Sequence, residues 1–163
     1  MTSTTKSGRS TTFKEKESDP GFLVAKGRFV SLFEKDLQSL LRSGVRTDDD
    51  RIITLKDKID SERRDLEKKH VKELASAIFM AVMNHGYATI RCIGRNATYN
   101  ACKAMAIARG NCYTKGVKLN FGPTFDEGNL GQLRNSSHVE NVTALVFSVE
   151  SFSDIKPDTE NQE

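Results

Sequence analysis

Hydrophobic residues recur every three or four positions in the first quarter of the chain. From Phe22 onward they form a single apolar stripe, composed of Phe29, Val30, Phe33, Leu37, Leu40 and Leu41. This spacing is typical of one face of a helix, and Gly44 follows where a C-terminal cap is expected. We therefore predict an amphipathic helix within residues 21–46. Its apolar face must pack against its own domain or against a partner subunit.

The patterns that follow predict alternating strands and helices. The β-branched stretch at 51–57 is bounded by aspartates, which is typical of a strand, and Asp60 or Ser61 can cap the helix after it. The predicted elements are a strand at 51–57, a long helix ending at Gly86, a strand at 87–93, a helix at 97–109 ending at Gly110, and strands at 117–125 and 142–152. The order βαβαββ predicts an α/β fold. The polar stretch between the last two strands predicts a hairpin loop.

Composition bounds the remaining segments. A chain of 163 residues with 37% hydrophobic residues suits one domain with flanking disordered material. Residues 1–20 are polar, and residues 153–163 are polar and acidic. We expect a disordered tail at 1–20, the amphipathic helix at 21–46, an α/β domain at 51–152 and an acidic disordered tail at 153–163.

The charge is unevenly distributed, although the net charge is only +3. Residues 51–149 contain fifteen Lys or Arg against nine Asp or Glu, whereas residues 150–163 contain one against five. A basic body with an acidic tail is compatible with a polyanionic partner.

Catalytic and metal chemistry find little support in the sequence. The three cysteines are not at zinc-ligand spacing, and neither are the histidines His70, His85 and His138. Cys102 falls inside a predicted helix, so we expect a buried thiol rather than a nucleophile. No acid–base pair stands out. We expect no enzyme activity, no metal and no cofactor. The chain also lacks a signal peptide and a membrane-spanning apolar run, which favours a cytoplasmic protein.

The segment IRCIGRNATYNACKAMAIARG, residues 90–110, joins a strand to an alanine-rich helix. Gly94 permits a tight turn, and Asn96 is placed to cap the helix that begins at Ala97. Arg95 would then lie beside the positive end of the helix dipole, which predicts an anion site. An ordinary strand-to-helix turn has the same features. The absence of G-x-G-x-x-G and of a P-loop lysine argues against a nucleotide-binding fold.

This segment resembles the central motif of the stage V sporulation protein S family, within the Alba superfamily of small nucleic-acid-binding proteins. The similarity lies in the Ile-Gly turn, in the Gly94-Arg95 pair and in the helix ending from Lys103 to Gly110. It extends over about residues 51–152 and is strongest at 86–110. The resemblance implies an Alba-like two-layer βαβαββ sandwich, here with an added N-terminal helix, that dimerises and binds DNA or RNA.

The resemblance also implies which residues contact the nucleic acid. The loop after the first strand corresponds to Lys56 and Lys58, with Arg63 and Arg64 nearby. The turn before the second helix corresponds to Arg95 and Asn96, with Asn100 and Lys103 about one turn further on. The hairpin arm contains a single basic residue, Arg134, and the acidic residues Asp126 and Glu127. This charge balance argues against deep insertion of the arm into a groove of the nucleic acid. Such residues would make sequence-independent phosphate contacts.

Several alternatives remain open from the sequence alone. The basic residues at 63–72 alternate with acids and also fit a solvated helix face. Tyr99 could stack on a base, or it could have a packing role or a role in a dimer. We expect a nucleic-acid-binding homodimer or higher oligomer, cytoplasmic and associated with a nucleoid or with RNA. The alternative is an assembly protein that uses the same fold and the N-terminal helix to oligomerise.

Overall fold

The computed structural model describes residues 19–129 and 141–152. Within them the chain forms β1 (Phe22–Ala25), α1 (Glu34–Arg42), α2 (Asp50–His85), β2 (Tyr87–Cys92), α3 (Arg95–Tyr113), β3 (Lys118–Asn129) and β4 (Asn141–Phe152). The strands form one sheet in the order β1-β2-β4-β3. Strand β1 runs parallel to β2, whereas β4 is antiparallel to both of its neighbours. This mixed architecture confirms the predicted Alba-like α/β sandwich.

Helices α2 and α3 pack together against one face of the sheet. In β2 the alternate residues Ala88, Ile90 and Cys92 contribute to the core, as the two-residue period of a strand requires. Helix α3 contributes mainly small side chains at helical spacing, namely Ala97, Ala101, Ala104 and Ala108. Alanine at these positions lets the helix backbone lie close to its neighbours. The second half of α2 supplies the larger core side chains, Leu74, Ile78 and Val82.

The predicted strand at 51–57 is wrong, because this stretch is the beginning of α2. The side chain of Asp49 caps the helix by accepting a 2.9 Å hydrogen bond from the Arg51 N–H. Ile52 and Ile59, seven residues apart, are both buried, which is the helical rather than the strand period. Asp60 and Ser61, predicted as caps, therefore lie within the helix. Its predicted end is confirmed, since Gly86 is the C-cap.

The first strand lies instead at the start of the segment predicted as an N-terminal helix. Residues Phe22–Ala25 pair with Thr89–Cys92 of β2, and Ala25 is only 5% exposed. The helix α1 is correspondingly short and leaves Phe29 and Val30 in the connecting loop. A four-residue strand gains its stability from pairing with a distant strand, which a local period does not reveal.

The remaining boundaries differ by a few residues from the prediction. Helix α3 continues to Tyr113, so Gly110 lies inside it rather than capping it. Cys102, expected to be buried, is exposed on the outer face of this helix. Strands β3 and β4 are paired as far as Asn129 and Asn141, which shortens the predicted loop. The rest of that loop lies outside the described residues.

Candidate nucleic-acid interface

The turn between β2 and α3 leaves the first turn of the helix uncapped by a side chain. Gly94 has a φ of 85°, a left-handed value that favours glycine. Its carbonyl oxygen accepts hydrogen bonds from the N–H and the hydroxyl of Thr98, each 3.1 Å long. The predicted cap by Asn96 is wrong, because α3 begins at Arg95 and Asn96 already belongs to its first turn. Arg95 and Asn96 are both exposed at this positive helix end.

The loop after β1, residues 26–33, is fixed against this helix end. The Lys26 N–H donates a 3.0 Å hydrogen bond to Nε2 of His70 in α2. The amide of Asn100 in α3 donates a 3.0 Å bond to the Lys26 carbonyl oxygen. Next to them, Gly27 lies so close to α3 that an added Cβ would be 2.5 Å from the Ala97 nitrogen. The loop is therefore held by both helices.

This arrangement forms a cleft of about 540 Å³, which we call the arginine cleft. The residues that line it come from the loop, from α2 and from the start of α3: Gly27, Arg28, Phe29, Asp60, Arg63, Arg64, Glu67 and Asn96. Three guanidinium groups thus face two carboxylates at an uncapped helix N-terminus. The residues that line the cleft therefore carry a net positive charge. Arg95 directly precedes one of them, Asn96, in the sequence.

Two of the predicted cations on α2 line the arginine cleft, and two do not. Arg63 and Arg64 line it. Lys56 borders a neighbouring depression that shares Asp60 and Arg63 with the cleft. Lys58 lines a different depression, together with Leu40 and Leu55.

The other predicted contact residues differ in their position relative to the arginine cleft. Asn96 lines the arginine cleft. Asn100 is only 1% exposed, so its side chain does not line the cleft and instead fixes the loop through the Lys26 carbonyl oxygen. Lys103 lies close to the cleft, but its Nζ is 2.5 Å from Oε1 of Glu67. Arg134 lies outside the described residues.

Sequence reasoning missed Arg28 as a candidate contact residue. The resemblance implies contacts from the loop after the first strand. Because the first strand was predicted at 51–57, that loop was identified with Lys56 and Lys58. In the structure the loop after β1 contains Lys26 and Arg28, both exposed. The sequence feature that could have revealed this loop is the apolar run Phe22–Ala25, because the basic, glycine-containing loop follows it immediately.

The charges around the cleft are partly paired. Nη2 of Arg63 lies 2.7 Å from Oε1 of Glu34, and the hydrogen bond from Arg63 is the main cause that lowers the Glu34 pKa. Glu62 accepts hydrogen bonds from the Ser31 hydroxyl and the Leu32 N–H. Among the described residues, neither Arg28 nor Arg64 forms an ion pair. Arg64 donates instead to the Asp60 backbone carbonyl, 3.1 Å away.

Two thiols and one imidazole in the described part of the chain have a shifted pKa. Burial raises the pKa of the Cys92 thiol to about 12 and also raises that of Cys112. The pKa of His70 is lowered, chiefly by burial. Across residues 19–129 and 141–152, no group of three or more His, Cys, Asp or Glu is placed to hold a metal ion. No helix there has the length and apolar content to cross a membrane.

Comparison with known proteins places the chain in a family. A search of curated protein sequences found no match. The sequence profile of the stage V sporulation protein S family, SpoVS, matches residues 67–151. The match begins in α2 at Glu67, a residue of the arginine cleft, and continues to Ser151, one residue before the end of β4. It spans more than half of the chain, and placement in the broader Alba superfamily is compatible with it. The chain therefore belongs to the stage V sporulation protein S family.

Proposed function

We propose that the protein binds DNA or RNA, mainly through phosphate contacts, with the arginine cleft as the principal site. The observation that carries this proposal is the convergence of Arg28, Arg63 and Arg64 on the N-terminus of α3. A planar guanidinium can donate two hydrogen bonds to a phosphate. A helix N-terminus adds backbone N–H donors and a favourable dipole.

The local charge balance supports the same conclusion. Lys103 is paired with Glu67, and Arg63 with Glu34. The other carboxylate that lines the cleft in the described part of the chain is that of Asp60, whose Oδ1 lies 3.9 Å from Nη1 of Arg63, and Arg28 interacts electrostatically with Glu34. A phosphate group entering the cleft would therefore meet an excess of positive charge without breaking either ion pair. Because such contacts do not read bases, we expect binding to depend little on sequence.

In this proposal the protein acts as a homodimer or higher oligomer, without catalysis, in the cytoplasm and in association with a nucleoid or with RNA. Two-fold symmetry would present the cleft twice on one assembly. Two copies of a moderate phosphate site bind a long polyanion more tightly than one, because the second contact is intramolecular.

Fluorescence anisotropy with labelled DNA and RNA across a salt series tests the proposal. Contacts from two copies would neutralise some four to eight phosphates, so log affinity should fall with log salt at a slope of roughly −3 to −7. The double variant Arg28→Ala, Arg64→Ala should weaken binding and flatten that slope. Lys58→Ala is the matched control, because Lys58 is an exposed cation of α2 outside the cleft. Absent binding at low salt, or a flat salt response, would refute the phosphate-contact proposal.

A second candidate function, assembly without nucleic-acid binding, is favoured by one observation. Val30 is 64% exposed and Leu32 is 82% exposed, close together in the loop that leads into α1. Exposed apolar side chains that adjoin one another can form part of a protein–protein contact. If Leu32→Asp dissociates an oligomer in light scattering, and the intact protein binds neither DNA nor RNA, assembly becomes the better assignment.

A further inference from the structure

Tyr99 presents an aromatic ring to solvent on the same helix end as the arginine cleft. The residue is 62% exposed, although aromatic side chains usually bury most of their area. It lies three residues after Asn96, which lines the cleft, and residues at this spacing are neighbours on a helix surface. The ring therefore lies beside the place where we propose that phosphates bind.

Contacts on one side hold the ring in place. Nζ of Lys103 lies 4.3 Å from the centroid of the Tyr99 ring, a cation–π distance. The same ammonium group contacts the carboxylate of Glu67, which lines the cleft. Lys103 therefore lies between the Tyr99 ring and the cleft wall, and its ammonium group covers one face of the ring. A side chain held in this way loses little conformational freedom when a flat ligand stacks on its other face.

We infer that Tyr99 is a base-stacking residue and that the site takes single-stranded DNA or RNA in preference to duplex. This inference rests on the proposed function. In a single strand, a nucleotide whose phosphate lies in the arginine cleft can turn its base onto the adjacent ring. In a duplex, the bases are paired and stacked inside the helix, so only the phosphate contacts remain. Lys103 acts as a positioning residue for Tyr99.

The stacking can be observed directly, because the chain contains no tryptophan. The variant Tyr99→Trp places a single indole at the site, and the control Tyr113→Trp places one at the far end of α3, where Tyr113 is 71% exposed. Single-stranded DNA and RNA of about 20 nucleotides, and the matching duplexes, serve as probes because they exceed the length that one such module covers. We expect single strands to quench the indole emission of Tyr99→Trp strongly and duplexes to quench it weakly. The emission of the control should respond to neither.

Affinity measurements give an independent readout. Loss of one stacked base corresponds to a decrease of about 5- to 150-fold, so Tyr99→Leu should weaken single-strand binding by such a factor, with duplex binding nearly unchanged. Tyr99→Phe should retain most of the affinity, because the ring remains.

The failure of this inference can be distinguished from the failure of the proposed function. Salt-dependent binding with equal affinity for single strands and duplexes, and without quenching of the Tyr99→Trp variant, would overturn the inference alone. Absence of binding to every probe at low salt would overturn both. If the emission of the same variant changes with protein concentration in the absence of nucleic acid, the ring belongs to a subunit contact and the inference is also overturned.

Discussion

The side chain of Asn100, buried in the middle of α3, donates a 3.0 Å hydrogen bond to the backbone carbonyl oxygen of Lys26. The two residues are 74 positions apart, and the bond fixes the loop after β1 to the alanine-rich helix. This loop carries Arg28 into the arginine cleft. The position of a charged surface residue therefore depends on a buried polar contact.

Asn100→Ala should lower the free energy of unfolding by about 1–3 kcal/mol, because it leaves the partly buried Lys26 carbonyl oxygen without its donor. Urea denaturation followed by circular dichroism measures the change. The control is Asn96→Ala, an exposed position on the same helix, where we expect a change within about 0.5 kcal/mol. Equal stability of the two variants would contradict the role assigned to the Asn100 bond.

Gly27→Ala should destabilise the protein, because its Cβ would lie 2.5 Å from the Ala97 nitrogen, a backbone atom with little room to move. We expect a loss of about 1–3 kcal/mol, similar to other overpacked sites. Gly110→Ala is the matched control, since nothing lies within 4 Å of a Cβ added there. That substitution in an exposed helical position should stabilise by up to about 1 kcal/mol. Thermal unfolding of both variants would reveal the opposite signs, and a neutral Gly27→Ala would argue against the close approach.

Stability should decrease on acidification through the titration of His70. Its Nε2 accepts the Lys26 N–H, which the protonated ring cannot do. Burial is the main cause of the lowered His70 pKa; the nearby Lys26 lowers it further, whereas Glu73 opposes the shift. The unfolded chain therefore binds the proton first, and stability falls as the pH drops through the ordinary value of 6.5 and levels off below the lowered folded value.

Denaturation midpoints measured from about pH 7.5 to about pH 5 test this expectation, with His70→Gln as a control that retains an acceptor but does not titrate. The variant should lose the part of the pH dependence that begins near 6.5. A variant with the same pH profile as the parent protein would show that another group is responsible.

Removal of residues 1–46 should prevent folding. The deletion takes away β1, which pairs with β2 over four residues, and the Lys26 and Gly27 contacts with both helices. A chain that begins at Asp19 retains all of these contacts and is the appropriate comparison. Circular dichroism and gel filtration distinguish the two deletions. A folded product from the longer deletion would mean that β1 is dispensable for the core.

Arg95→Ala should weaken binding to DNA or RNA by about 1–3 kcal/mol per dimer, similarly for all sequences, and should reduce the salt slope by about one to two. The residue is exposed at the first position of α3, so the unfolding midpoint should hardly change. Anisotropy and urea titrations of the same preparation separate binding from stability. If the variant unfolds or changes its oligomeric state, Arg95 has a structural role instead.

The part of the fold that could be predicted from the sequence is the part with strong local signals. The glycine before β2, the strand itself and the alanine-rich helix were recognisable, and they lie within the family match. Strand β1 was not, because four apolar residues specify a strand only once β2 is beside them. The β-branched residues at 51–57 favoured a strand locally, whereas the Asp49 cap and the burial of Ile52 and Ile59 favour the helix.

The same error explains most of the difference between the predicted and the observed site. Arg63, Arg64 and Asn96, which the sequence suggested as contacts from two separate segments, line one cleft in the structure, whereas Arg28 was missed with β1. The burial of Asn100 could have been predicted. It lies three residues after Ala97 and four before Ala104, on the small-residue face of the helix. It was interpreted as a surface contact because its side chain is polar.

The beginning of the family match at Glu67 divides the arginine cleft between two parts of the chain. Glu67 and Asn96 lie within the match, whereas Arg28, Arg63 and Arg64 precede it. Of these arginines, Arg28 lies in a loop, and the other two are exposed side chains in the first half of α2, before the core residues that the second half of this helix supplies. The anion affinity that we propose for this surface can therefore change through a few substitutions before residue 67, while the packing of the matched core stays the same.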